Sequence, residues 1–163
     1  MIPNDRAFNG KIFFEYDGKI FYRWHHLKMA GNYTILFRVV STKSEHKQGI
    51  ALFFSDFAGS IFFNGEKMKP LKGFQHYVLT EDKISSTGIE ISVQAESGYL
   101  FFGNGAEDES GTCFKAGAYG CAFWIEIISD NHLRFHCNDY EYDDDFDDFV
   151  FDLEINQEKN SLL

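Results

Sequence analysis

Proline is nearly missing from this 163-residue chain, which carries two. Each proline removes a backbone donor, so few strands here are interrupted for that reason. Cysteine is scarce too, and its count is odd. Cys113, Cys121 and Cys137 cannot all pair within the chain, which reads as a reduced cytoplasmic protein with buried thiols. The opening Met-Ile-Pro-Asn-Asp-Arg lacks the apolar stretch of a signal peptide, although secretion stays open if a leader was removed. No run approaches the roughly 18 apolar residues that a membrane helix needs.

Positive charge is also short, with 15 Lys and Arg against 25 Asp and Glu, a net charge of −10. Such a surface repels phosphate backbones and anionic bilayers, so neither nucleic acid nor membrane is an expected partner. A cation, a basic protein or a neutral ligand all stay open. Catalytic signatures are missing as well: no nucleophile elbow, no glycine-rich phosphate loop and no metal-binding histidine pair on a helix. With 25 carboxylates the sequence nominates no single acid–base pair, so no enzyme class is indicated.

Aromatics, by contrast, are plentiful at 18%, with 19 Phe and 8 Tyr. Such rings favour a pleated surface. Residues 11–16 and 19–24 flank Asp17-Gly18, the strongest short-range hairpin signal. Residues 33–40 are apolar on nearly both faces, as in a central strand, and 41–48 read as a polar loop. Residues 49–55 and 60–63 read as a hairpin turning at Ala58-Gly59. Residues 74–80 follow as a strand, and Ile89, Ile91 and Val93 alternate strictly. Glu96-Ser97-Gly98 then reads as a turn before residues 99–102. Residues 121–128 and 132–137 form another predicted hairpin, and Phe149, Phe151, Leu153 and Ile155 mark a half-buried last strand.

Turn signals recurring about every 8–12 residues predict an all-β fold, a two-sheet antiparallel β-sandwich of jelly-roll kind with about ten or eleven short strands. Residues 1–156 form its single domain, and 157–163 a polar C-terminal tail that frays from Asn156.

The longest stretch without strand character, residues 103–120, reads as either a ligand or calcium loop or a solvated connection. It offers Asn104, Glu107, Asp108 and Tyr119. A second acidic tract, residues 139–148, places like charges on one face and reads as a loop, cation site or docking surface. Asp143, Asp145, Asp147 and Glu154 fit positions of an EF-hand loop. Asp148 stands where the tight turn wants glycine, so that motif is set aside. Glu107, Asp108, Asp143 and Asp145 remain the candidate calcium ligands. His132 and His136 would share a strand face about 13 Å apart, too far to share one zinc ion.

Trp24 and Trp124, the only tryptophans, are candidate sugar-stacking platforms or core residues. Tyr22, Arg23, Tyr119 and Asn104 are the candidate companions that would complete a ligand site.

Three segments carry a resemblance. Gly31-Asn-Tyr-Thr-Ile-Leu-Phe-Arg-Val-Val-Ser41 is similar to the central strand of galactose-binding-like jelly rolls, written Gly-x-Tyr-x-(apolar)-x-Phe-x-(apolar). Residues 74–93 look like the middle strand pair of such carbohydrate-binding modules. Residues 147–155, beginning Asp-Asp, are similar to their closing strand. The resemblance implies a non-catalytic protein that binds a carbohydrate, with a structural calcium in many members. The alternative expectation is an acidic interaction module, of inhibitor or immunity type, that masks a basic protein partner.

Overall fold

The computed structural model describes residues 13–68, 75–84, 87–107, 110, 114–116, 121–138 and 146–158. Among them, β1 (Phe13–Tyr16) and β2 (Lys19–Tyr22) form the predicted hairpin, with positive φ at both Asp17 (50°) and Gly18 (74°). Two positive φ angles are what a type I′ turn requires. Next come β3 (His25–Lys28), β4 (Gly31–Thr42), β5 (Gln48–Phe63), β6 (Glu66–Lys67), β7 (Gln75–Thr80) and β8 (Ile89–Glu107). The order closes with β9 (Phe114–Ala116), β10 (Ala122–Ser129), β11 (His132–Asn138) and β12 (Phe149–Gln157). No described residue is helical, and no helix is long and apolar enough to cross a membrane.

The antiparallel all-β class is as expected. The sheet count differs: hydrogen bonds join the strands into one sheet, in the order β1-β2-β10-β11-β12-β4-β8-β5-β6. Strands β3 and β9 add to β8, and β7 adds to β5. Continuity comes from β5 and β8, which run through two positions that read as turns. Residues 49–63 are therefore one strand and not a hairpin, and Glu96-Ser97-Gly98 lies inside β8. The register slips between Ser55 and Gly59, and the paired strands bend there. Glycine is required because the two backbones nearly touch. A Cβ on Gly59 would lie 2.0 Å from the Gln94 carbonyl oxygen, and one on Gly98 2.7 Å from the Phe57 Cα.

The bend turns one half of the sheet over the other. Phe102, from the second half of β8, meets Phe135 of β11 (ring centroids 5.5 Å apart) and Phe37 of β4 (6.0 Å). Phe135 in turn stacks on Phe151 at 4.7 Å. Phe37, Phe102, Phe123, Phe135, Phe149 and Phe151 are all fully enclosed, together with Ile35, Ile50, Leu52 and Ile91. Burying each such side chain contributes about 1.5–3 kcal/mol.

Two further expectations change. Residues 103–107 continue β8 and residues 114–116 form β9, so 103–120 is not one long loop. Small residues at 103, 105 and 106 imitate a loop, but Gly103 serves close packing: a Cβ on it would lie 2.5 Å from the Arg23 carbonyl oxygen. At the other end, Asn156 and Gln157 pair with Thr34 and Tyr33, and the Glu158 amide donates to the Asn32 carbonyl. Strand pairing therefore reaches past Asn156.

Candidate functional site

The sheet is complete along most of its length but opens between β2 and β10. Their register holds only at Tyr22 opposite Phe123 and Phe21 opposite Trp124. Beyond that point the strands part. A cleft of about 580 Å³ lies in the split. One wall is Gly18, Lys19, Ile20 and Tyr22; the other is Trp124, Ile125 and Ile127, with Leu133 of β11 behind and His25 of β3 at the far side. The alternation of β10 explains this lining. Ile125 and Ile127 pair with Phe135 and Leu133, so they point to the face that elsewhere is core. The second half of the sheet does not cover that face here, and Ile127 is left 76% exposed and Ile20 45%.

Polar groups break the apolar lining, His25 and Lys19 foremost. His25 sits against Phe102 (5.0 Å), Phe135 (5.9 Å) and the edge of Tyr22 (6.3 Å). Burial, and next the charge of His26, push its pKa down to about 4, so the ring is neutral near pH 7. Lys19 places its Nζ 4.2 Å from the centre of the Trp124 ring. On the β11 side His136 stacks on the same indole at 4.1 Å, with planes 6° apart, and its Nε2 meets Glu126 Oε2 at 2.8 Å. The two neighbours clamp Trp124 between β2 and β11.

Of the sequence candidates, Tyr22 and Trp124 come together in this cleft. Trp24 does not join them. It packs edge-to-face on Phe53 at 5.1 Å, in an outer row on β3, β8 and β5. In that row Phe53 stacks on Phe101 (4.6 Å, 3°), and His26 and Tyr99 lie at 5.7 and 6.4 Å from Phe101. Arg23 lies half-buried in the short link from β2 to β3. Asn104 is fully buried and its Nδ2 donates to the Asn138 carbonyl, tying β8 to β11. Glu107 ends β8 opposite Phe114. Tyr119, Asp108, Asp143 and Asp145 lie outside the described residues. Among the described residues, no three His, Cys, Asp or Glu side chains gather where they could hold a metal.

The histidines of β11 each have their own carboxylate. His132 Nε2 lies 2.8 Å from Asp152 Oδ2, and Arg134 grips the same carboxylate at 2.8 and 3.1 Å. Burial raises the Asp152 pKa, but hydrogen bonds and charge from Arg134 and His132 outweigh it and hold it below the ordinary range. Cys121 and Cys137 are buried thiols. Burial first, then Cys121 and Asp148, push Cys137 well up. Cys113 falls outside the described residues.

His25, Ile20, Ile125, Ile127 and Leu133 were not singled out from sequence as site residues. Ile125 and Ile127 carry the same period-two signal as the core, and nothing in that signal marks where cover ends. Comparison with protein-family models, with curated proteins and with solved structures found no match.

Proposed function

We propose that this is a non-catalytic binding protein that holds a small, largely apolar ligand in the split between β2 and β10. The observation that carries the reading is the uncovered core face there, with Ile127 76% and Ile20 45% exposed beside the half-buried His25 and Tyr22. Large aliphatic side chains left open in one place mark a surface that meets something apolar. The cleft's volume of about 580 Å³ falls among small-molecule sites, which span about 300–1,000 Å³. The few polar groups, Lys19, the Tyr22 hydroxyl and neutral His25, would fix orientation. N-phenyl-1-naphthylamine, a neutral probe that brightens on leaving water, tests this. One saturable site is expected, weakened at least tenfold by Ile127→Asp with little change in melting temperature. Unsaturable binding, or binding indifferent to Ile127→Asp, would refute it.

A carbohydrate ligand is the second reading, favoured by the half-exposed row of Trp24, Phe53, Phe101, His26 and Tyr99. Ring surfaces of that kind stack on the C–H faces of sugars. It fits the resemblance to galactose-binding-like modules. It predicts a sugar-dependent rise in melting temperature that Trp24→Ala abolishes without unfolding the protein. A rise that survives Trp24→Ala would place the sugar elsewhere.

A further inference from the structure

The charge around the cleft narrows the ligand class, on the footing that the cleft is the binding site. Among the described residues, Lys19 is the only formally charged one lining it. The described residues give Lys19 no ion pair, and its one specific neighbour is the face of Trp124. The other charges nearby are directed elsewhere. Glu126 lies on the same face as Trp124 but is engaged by His136 and does not line the cleft, and neither do Glu15, across the hairpin from Ile20, or Asp17 in the turn. His25 adds no charge near neutral pH and leaves a hydrogen-bonding ring among aromatic neighbours.

A cation poised at one end of an aliphatic channel matches one molecular shape. We infer that the cleft selects an amphiphile with a single saturated chain and one negative charge. Its carboxylate rests at Lys19, and its chain lies among Ile20, Ile125, Ile127 and Leu133. The chain is the main source of affinity, because each buried methylene adds about 0.8 kcal/mol, roughly three- to fourfold in affinity, until the cleft is full. The charge is the source of selectivity. Lys19 acts at short range, whereas the protein's overall negative charge is screened beyond about 8 Å at physiological salt. An uncharged sugar gains nothing from Lys19, and a cationic amphiphile is repelled by it.

Competition against bound N-phenyl-1-naphthylamine separates the possibilities, using dodecanoate, dodecanol and dodecyltrimethylammonium below their micelle concentrations. Dodecanoate is expected to displace the probe about tenfold better than dodecanol, with the cation weakest. Lys19→Met erases that preference, and Lys19→Arg preserves it. Equal displacement by acid and alcohol, or a preference that survives Lys19→Met, overturns the anionic class while the cleft reading stands. Probe binding that no amphiphile displaces also overturns it. Failure of the probe itself to bind defeats the cleft reading instead.

Discussion

The two seams of the sheet behave oppositely. Strands β12 and β4 pair through nine positions, and the side chains they turn inward, Phe151, Leu153, Phe37 and Ile35, are essentially sealed from water. Strands β2 and β10 pair through two, and the inward side chains just past that point, Ile20 and Ile127, stand open. The residue types are alike and so is the alternation. What differs is whether the backbone ladder continues and whether the bent half of the sheet lies above. Apolar patterning thus sets which face a side chain takes, while the length of the ladder sets whether that face becomes core or cleft.

The contrast breaks most sharply under truncation. Phe135→Ala, in the closed seam, should cost about 3–5 kcal/mol in urea unfolding, because it removes a ring packed on Phe102, Phe123 and Phe151. Ile127→Ala, in the open seam, should stay within about 0.5 kcal/mol of the parent. A cost above 2 kcal/mol at Ile127 would mean that the open seam is packed after all.

The pH dependence sharpens it next. His25 has a folded pKa of about 4 against an ordinary 6.5, so the unfolded chain binds more protons between those values. Stability is then full above pH 6.5 and falls as pH drops toward 4, by up to about 3 kcal/mol. His25→Phe should flatten that slope whatever it does to the absolute stability. An unchanged slope, read from urea midpoints across the window, would place His25 in water.

A smaller effect belongs to the outer face. Asp152→Asn leaves Arg134 and His132 without their carboxylate and should lose about 2 kcal/mol, since the group is mostly but not wholly enclosed. In a double-mutant cycle with Arg134→Met, most of that loss should disappear. Additive effects would show that the pair does not interact.

Much of this was legible in the residues. Asp17-Gly18 announced its hairpin, and the alternation of Phe149, Phe151 and Leu153 announced their inward face. The bends at Gly59 and Gly98 were visible as turn signals, but a glycine that lets two strands touch looks the same as one that ends a strand. That ambiguity turned one folded sheet into two expected ones. At the site, Tyr22 and Trp124 were nominated for their rings and do meet in the cleft. Ile20, Ile125, Ile127 and His25 were not, because where two strands part depends on pairing between residues a hundred positions apart. Trp24 and Trp124 carried the same signal and lie on different surfaces.

The most direct test of the cleft is methyl chemical-shift mapping with dodecanoate added to the labelled protein. Methyl groups of Ile20, Ile125, Ile127 and Leu133 should shift together and saturate, while Ile50 and Ile91, sealed in the closed core, stay in place. Shifts confined to methyls away from the split between β2 and β10, or none at all, would contradict the account.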